Sequence, residues 1–206
     1  MNKSKNISII ILHGWGGSSK TDWIPWLKKE LEKDGFEVFA PDLPRTLAPR
    51  YKEWMSAIEE TLKLVSSENK IYFVGHSLGG AAILHFLGNL SRSDLSAKKI
   101  GPLISGALLI ASPIKLLDVV KLNDFSRREF RWDEIQKYCP NFSLLYSKDD
   151  PLVSPKKHAV PIKKYLSQSR VQLQIVNGYE HFIMKKCPVI LKSAKELLNN
   201  VLMFGK

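Results

Sequence analysis

The chain has 206 residues, of which 44% are hydrophobic and 25% are charged, and it carries a formal net charge of +11. This length suits one domain with a sizeable core, and we expect a single domain over residues 1–206. No apolar stretch approaches the ~20 residues of a membrane-spanning helix, and the basic residues occur in scattered pairs without a nucleic-acid-binding motif. We therefore expect no membrane span and no nucleic-acid partner, and we attribute the charge to a lysine-rich surface.

Hydrophobic periodicity predicts strands that alternate with helices along the chain. Continuous apolar runs indicate buried strands, and the alternating run Val-Gln-Leu-Gln-Ile indicates a half-exposed edge strand. The predicted strands cover residues 7–12, 36–40, 71–74, 104–111, 141–147 and 171–176. The first predicted helix begins at an N-cap residue, Thr21 or Asp22, and ends before Gly35. The other predicted helices cover residues 50–65, 78–90, a part of 156–166, and 189–202.

This alternation indicates a mainly parallel sheet with right-handed crossovers and helices on both faces. We predict an α/β fold with six strands in the spatial order 2-1-3-4-5-6. The switch point then lies between strands 1 and 3, where a crevice opens at the carboxyl ends of the strands. The loops that leave these two strands are the glycine-rich residues 13–18 and a turn around Ser77, so we expect the two loops to face each other.

The turn around Ser77 has a G-x-S-x-G pattern, GHSLG at residues 75–79, between an apolar strand and a helix of small residues. A serine on so sharp a turn has a strained backbone, so the residues two before and two after it must lack bulk. The hydroxyl is exposed at the first turn of the helix, where unpaired N–H groups can hold an oxyanion. The pattern predicts a nucleophile at Ser77, with an oxyanion hole formed by the backbone N–H groups of Trp15 and Leu78.

A serine nucleophile needs a base, and the base needs a carboxylate that sets its tautomer. Among the five histidines, His181 follows the last strand in a loop able to place it over the sheet, and we assign it as the base. The carboxylate should follow strand 5, where Asp149 and Asp150 both qualify. We prefer Asp150 and expect Asp149 to stabilise the turn. The other histidines have structural or solvated interpretations: His76 points away from the serine, His13 braces the glycine-rich loop, His85 is structural and His158 is solvated.

Motifs at six places along the chain agree in order and spacing with one family. They are HGWGGS at residues 13–18, Trp23 with PWL at 25–27, APDLP at 40–44, GHSLG at 75–79, DDP at 149–151 and HF at 181–182. The chain resembles the small serine hydrolases of the YdeN and retinoblastoma-binding-protein-nine type. The resemblance implies a compact alpha/beta-hydrolase fold without a large cap domain and a catalytic triad at Ser77, Asp150 and His181. Glu180 and Ser154 depart from the family pattern, and we expect Glu180 to point into solvent.

The residues and the resemblance together predict hydrolysis of a small carboxylic ester, thioester or amide through an acyl-enzyme on Ser77, with carboxylesterase activity (EC 3.1.1) as the simplest form. We expect no cofactor and no metal, because the chain has no H-E-x-x-H or paired-cysteine motif. Two alternatives are a protein-interaction module that keeps the fold with vestigial chemistry, and acyl transfer to an acceptor other than water. The strained serine favours an enzyme, because a scaffold has no physical need for it.

Two segments lack a clear pattern. Residues 91–102 are polar and basic, which indicates a surface connection. Residues 112–136 leave strand 4 at the expected active-site edge, so we predict that they form one wall or a small lid. Arginines 127, 128 and 131 in this segment suggest a preference for an anionic substrate; the alternative is a basic surface helix whose aromatic side chains lie in the core.

The N-terminal segment and the cysteines indicate the compartment. The apolar run at residues 7–12 is too short for a signal peptide, and no A-x-A site follows it. The two cysteines, Cys139 and Cys187, suggest no disulfide framework and are expected to be packed thiols. We therefore predict a cytoplasmic protein, and we favour a monomer.

Overall fold

The computed structural model describes residues 6–90, 104–115 and 123–204, which form a six-stranded sheet with helices on both faces. The strands are β1 Ile7–Leu12, β2 Glu37–Phe39, β3 Lys70–His76, β4 Ile104–Ile110, β5 Asn141–Ser147 and β6 Arg170–Val176. All neighbouring strands are parallel, and their order is β2-β1-β3-β4-β5-β6. The predicted topology is therefore confirmed.

Five of the described helices lie close to the predicted ones, whereas two short helices, at residues 123–126 and 132–138, begin in the segment for which no regular element was predicted. In chain order the helices are α1 Ile24–Lys33, α2 Tyr51–Lys63, α3 Leu78–Asn89, α4 Asn123–Ser126, α5 Trp132–Tyr138, α6 Ala159–Tyr165 and α7 Pro188–Phe204. The predicted surface connection at residues 91–102 and a part of the predicted lid, residues 116–122, lie outside the described residues. In the part of the chain that the structure describes, no helix is both long and apolar enough to cross a membrane.

The N-terminus of α1 differs from the prediction. Its N-cap is Trp23, and no side chain caps the helix. The Thr21 hydroxyl instead donates to the carbonyl oxygen of Ser18 at 2.9 Å and accepts from the Ser18 N–H at 2.9 Å. The predicted cap was wrong because the side chain of Thr21 closes the turn before the helix. The C-terminal glycine was placed correctly, since Gly35 has a φ of 86°.

Both faces of the sheet are buried, which explains why the strands read as continuous apolar runs. In β1, Ile10 and Leu12 pack in one cluster with side chains of α2, α3, α5 and α6, whereas Ile9 and Ile11 pack in a second cluster with those of α1 and α7. Each such fully buried aliphatic side chain stabilises the fold by roughly 1.5–3 kcal/mol. Both cysteines are buried free thiols, as predicted.

Strand register determines which loops meet at the carboxyl edge of the sheet. Leu12 of β1 pairs with Gly75 of β3, so the residues that follow these strands leave the sheet side by side. Ser147 of β5 pairs with Val176 of β6, which brings together the loops that carry the two aspartates and His181. The crevice therefore forms where the topology predicts it.

Candidate active site

Ser77 lies on a strained turn between β3 and α3. Its φ of 51° and ψ of −120° place a non-glycine residue in a sparsely populated region, at a cost of order 1–3 kcal/mol. The surrounding glycines make this possible: a Cβ on Gly75 would lie 2.6 Å from the Cα of Gly80, and one on Gly79 would lie 2.5 Å from the carbonyl oxygens of Leu12 and His13. The turn is thus packed directly against the end of β1.

The structure brings the side chains of Ser77, His181 and Asp150 into one hydrogen-bonded row. The distance from His181 Nε2 to Ser77 Oγ is 2.9 Å, and that from His181 Nδ1 to Asp150 Oδ2 is 2.8 Å. A carboxylate can only accept, so Nδ1 carries the proton and donates to Asp150. Nε2 is then free to accept the hydroxyl hydrogen of Ser77, which is the arrangement that general-base activation of a serine requires.

The two adjacent aspartates have different partners. Asp150 is oriented by its other oxygen, Oδ1, which accepts the backbone N–H groups of Leu152 and Val153, both at 2.8 Å. Asp149 accepts from the hydroxyl of Ser147 and from the N–H of Gly178 at 3.0 Å, and the Ser147 hydrogen bond lowers the pKa of its carboxyl. Asp150 therefore faces the histidine, while Asp149 ties the loop after β5 to the loop after β6.

His76 contacts His181 through a bond that the sequence did not reveal. Its Nε2–H donates to the backbone carbonyl oxygen of His181 at 2.8 Å, and the two rings lie 5.0 Å apart. Burial lowers the pKa of His76 to about 4, so the ring is neutral at pH 7. The residues on either side of His181, Glu180 and Phe182, have φ values of 44° and 58°. A strained loop is thus held by a buried side chain from the turn around Ser77, which we call the elbow.

His13 braces the glycine-rich loop, as predicted. Its Nε2 accepts the N–H of Leu43 at 2.9 Å, so Nδ1 carries the proton and donates to the carbonyl oxygen of Gly14 at 2.8 Å. Burial lowers the pKa of this imidazole, which is consistent with one nitrogen acting as an acceptor. A Cβ on Gly14 would lie only 3.0 Å from the Cβ of Ser77, so the loop backbone lies against the nucleophile turn.

The two predicted oxyanion donors lie on these two loops. The indole of Trp15 is 44% exposed and donates from Nε1 to the carbonyl oxygen of Leu47 at 3.1 Å, while Leu78 is buried at the start of α3. Within residues 6–90, 104–115 and 123–204, neither the Trp15 nor the Leu78 backbone N–H has a hydrogen-bond acceptor. Both groups are therefore available to a ligand.

Two other expectations concern side chains near the crevice. His158 is not solvated: it is partly buried at the start of α6, its Nδ1 accepts the N–H of Ile114 at 3.3 Å, and burial lowers its pKa. The prediction failed because the loop after β4 covers this ring, a contact between distant parts of the chain. Glu180 is exposed, as expected.

The arginines of the 112–136 segment lie away from Ser77. A Cβ on Gly88 would lie 3.3 Å from the Cβ of Arg131, and Gly88 is eleven residues beyond Ser77 in α3, about 16 Å along the helix axis. Phe125 is buried in the core with 1% exposure. Arg128 and Arg131 line a cavity beside His85 and Gly88, at the far end of α3, which does not favour the hypothesis that Arg127, Arg128 or Arg131 selects substrates at the serine. The alternative of a basic surface segment with core aromatics fits the packing of Phe125.

No group of three or more His, Cys, Asp and Glu side chains is placed to hold a metal ion within the described ranges. The polar groups placed together at this edge include Ser77, His181 and Asp150, which we call the serine row, the loops that support them and the two N–H groups that have no acceptor among the described residues. The Asp22 carboxyl is also close enough to His181 to interact with its charge. Such a constellation can deliver a hydroxyl to an acyl carbon and hold the resulting oxyanion.

Comparison with known proteins agrees with this geometry. The model of a family described as serine hydrolase matches residues 9–180. YdeN of Bacillus subtilis (strain 168), named as a hydrolase, is 32% identical over 146 residues, covering 70% of this chain and 72% of YdeN. The serine hydrolase RBBP9 of Rattus norvegicus is 26% identical over 153 residues, covering 73% of this chain and 75% of that protein. The crystal structure of the ydeN gene product superposes with a TM-score of 0.78 and 25% identity, over 94% of this chain and 99% of that one.

Proposed function

Because the chain belongs to the serine hydrolase family and has the compact alpha/beta-hydrolase fold, we propose that it hydrolyses a small carboxylic ester, thioester or amide through an acyl-enzyme on Ser77. The observation that carries the proposal is the hydrogen-bonded row from Ser77 Oγ through His181 to Asp150, with distances of 2.9 and 2.8 Å. The strained turn under Ser77 supports it, because strain of this kind persists where function requires it.

In the first half of the reaction, Ser77 Oγ attacks the carbonyl carbon of the substrate while His181 Nε2 takes the hydroxyl proton. The tetrahedral intermediate then collapses: the bond to the leaving group breaks, and His181 gives the proton to the departing oxygen, sulfur or nitrogen. Asp150 stabilises the imidazolium and keeps its Nδ1–H directed away from the serine. The acyl group remains on Ser77 as an ester.

The negative charge that develops on the substrate oxygen needs donors that are already in place. The backbone N–H groups of Leu78 and Trp15 are our candidates, since the loop that carries Trp15 packs against the elbow. Losing one such donor typically costs ~3 kcal/mol of transition-state stabilisation. Main-chain donors on two packed loops need no reorganisation during the reaction.

In the second half, water enters the position that the leaving group has vacated. His181 Nε2 takes a proton from this water, the hydroxide attacks the acyl carbon, and the bond to Ser77 Oγ breaks as the histidine returns the proton to the serine. The products are a carboxylic acid and the regenerated hydroxyl. An alcohol or amine that replaced the water would give acyl transfer by the same steps.

The substrate class that we favour is a carboxylic ester, which corresponds to EC 3.1.1. Trp15, in the loop after β1, is 44% exposed, and Leu47, in the connection after β2, is 65% exposed. The Trp15 indole donates to the backbone carbonyl oxygen of Leu47, which places the two residues side by side. An apolar rim suits a short acyl or alcohol group. Within the described residues no large cap domain covers it.

The proposal is tested by labelling with a fluorophosphonate probe and mapping the modified residue by mass spectrometry. We expect rapid modification of Ser77 in the wild type and none in Ser77→Ala. His181→Ala should lose at least ~10³-fold in labelling rate, because the hydroxyl loses its base. His158→Ala is the matched control, since it removes a nearby histidine that lies outside the row, and it should label at near the wild-type rate.

A folded wild type that shows no modification of Ser77, or equal loss in His158→Ala and His181→Ala, would contradict the proposal. The substrate is then narrowed with matched p-nitrophenyl esters, thioesters and anilides of the same acyl group. Product analysis with added alcohol separates hydrolysis from acyl transfer. Turnover of none of these acyl compounds by a probe-reactive protein would contradict the assignment of small acyl substrates.

A further inference from the structure

A second polar cavity lies at the far end of α3. Its volume is about 250 Å³, and it is lined by Tyr51, His85, Gly88, Asn89, Arg128, Glu129 and Arg131. His85 is eight residues beyond Ser77 in the same helix, which places it about 12 Å along the axis from the elbow. None of the residues in the serine row lines this cavity, so its chemistry is separate from the proposed hydrolysis.

His85 is the buried polar group of this cavity. It is only 5% exposed, it stacks on Phe130 with ring centroids 4.3 Å apart, and its edge meets Tyr51 at 5.3 Å. Neither ring nitrogen has a hydrogen-bond partner among the residues that the structure describes. Burial and the nearby Arg128 lower its pKa to about 4. The two ring nitrogens are therefore open to the cavity, where a ligand can supply the hydrogen-bond partner that the described residues do not.

Arg128 and Arg131 have guanidinium N–H groups that are not used in hydrogen bonds within the described residues. The guanidinium of Arg128 lies 3.9 Å over the ring of Tyr51 and donates from Nε to the carbonyl oxygen of Asp124 at 3.0 Å, whereas its contact with the Asp124 carboxylate is long, 3.5 Å. Arg131 is exposed at the N-cap of α5 and has no ion pair within the described ranges. Two carboxylates lie beside the arginines: Glu129 lines the cavity and Asp124 is ion-paired with Arg128, so the four formal charges cancel. Recognition of an anion therefore depends on the directed guanidinium N–H donors and not on net charge.

We propose that this cavity binds a small oxyanion, a phosphate or carboxylate group, between Arg128 and Arg131. The planar guanidinium fork matches both groups, and such charge-assisted hydrogen bonds are among the stronger polar contacts. His85 supplies one neutral N–H donor, and the Asn89 amide, which also donates to the Tyr51 hydroxyl, has a second N–H for the ligand. The volume admits the anionic group with a short organic portion.

The test is a titration of ¹⁵N-labelled protein at constant ionic strength and pH 7, followed by NMR, with inorganic phosphate, acetate and chloride as separate ligands. We expect saturable shifts at His85, Asn89 and the 128–131 segment with phosphate or acetate. Tighter binding of phosphate identifies a phosphoryl ligand, and tighter binding of acetate identifies a carboxylate. Equal shifts with chloride mean simple charge screening and would overturn the site.

Variants separate the cavity from general surface charge. Arg131→Ala and His85→Phe, which retains the stacked ring but loses its nitrogens, should each weaken binding at least tenfold. Arg127→Ala is the matched control, because it removes a neighbouring exposed cation that does not line the cavity, and it should bind as the wild type does. Equal weakening in Arg127→Ala would refute the specific site. Thermal melts establish that each variant is folded.

Fluorophosphonate labelling distinguishes this site from the serine crevice. Saturating phosphate should leave the rate of Ser77 modification unchanged. If phosphate instead protects Ser77 in competition with the probe, the anion binds at the crevice and the separate site is wrong. A failure of Ser77 to label at all bears on the proposed hydrolysis and leaves the NMR titration as the measure of the cavity.

Discussion

The two ends of helix α3 differ in how their polar groups are satisfied. At the N-terminal end, Ser77, His181 and Asp150 bond one another, and His76 holds the backbone of His181. At the C-terminal end, His85 is equally buried but faces a cavity without a partner in the described structure. A reactive site needs groups already oriented by the chain, whereas a binding site keeps donors open for its ligand. On our two proposals, the same helix has a reactive site at one end and a binding site at the other.

The largest expected effect on activity is the difference between substituting Asp150 and substituting its neighbour Asp149. We expect Asp150→Asn to reduce kcat/KM for ester hydrolysis by ~10⁴-fold, because an amide no longer holds His181 in the tautomer that accepts from Ser77. Asp149→Asn is the matched control one residue away. It weakens the contacts of the carboxylate with the Ser147 hydroxyl and the Gly178 N–H, neither of which touches His181, and we expect a loss below about tenfold. A larger loss in Asp149→Asn than in Asp150→Asn would reverse our assignment of the carboxylate.

A smaller loss is expected when the link between the elbow and the histidine loop is removed. His76→Phe keeps a buried ring but cannot donate to the carbonyl of His181, and a misplaced base costs on the order of 10²-fold in kcat. KM should change little, because substrate contacts stay in place. His76→Gln retains an N–H donor and should restore part of kcat. If His76→Phe and His76→Gln are equally impaired, the ring only fills space and has no positioning role.

Acidification should lower the free energy of unfolding through two buried histidines, one at each end of α3. Burial lowers the pKa of both His76 and His85 to about 4 in the folded protein, from the ordinary value of 6.5 for an exposed imidazole. The unfolded chain therefore binds more protons between pH 6.5 and 4, so the stabilising contribution of each neutral ring is present above pH 6.5 and is lost as pH falls toward 4. Each ring can contribute a slope of up to ~1.4 kcal/mol per pH unit.

Urea unfolding at pH 7 and pH 5 measures this slope. His85→Phe and His76→Phe should each flatten it, because each removes one titrating ring. If the cavity binds the anion, saturating phosphate should reduce the pH dependence of the unfolding free energy in proteins that retain His85. It should not do so in His85→Phe. A slope that is the same in the wild type and in both variants would show that these rings do not control acid stability.

The smallest effect is expected at the far end of the helix. Arg131→Ala should change kcat/KM for a neutral ester by less than about twofold, since its side chain packs near Gly88, about 16 Å from the elbow. The measurement is a comparison of neutral and anionic esters in wild type and variant. A selective loss for anionic esters would place Arg131 at the crevice after all and remove the distinction between the two ends.

Local patterns predicted much of this architecture. The apolar runs located the strands, and the alternation of strands and helices predicted the order β2-β1-β3-β4-β5-β6, because parallel strands need crossover helices. The glycines at positions 75 and 79 predicted the turn at Ser77, since a side chain at either position would collide with backbone. The order of Ser77, Asp150 and His181 along the chain predicted which residues the structure would bring together.

Local patterns in the sequence predicted most of the elements, their order and the side chains at the carboxyl edge, because these depend on periodicity and on residues close in the chain. Which groups meet across long separations follows from the packing of the folded chain. The bond from His76 to His181 joins residues 105 positions apart, and the cover over His158 comes from the loop after β4. The position of Arg131 at the far end of α3 likewise follows from packing against Gly88, which no local pattern encodes.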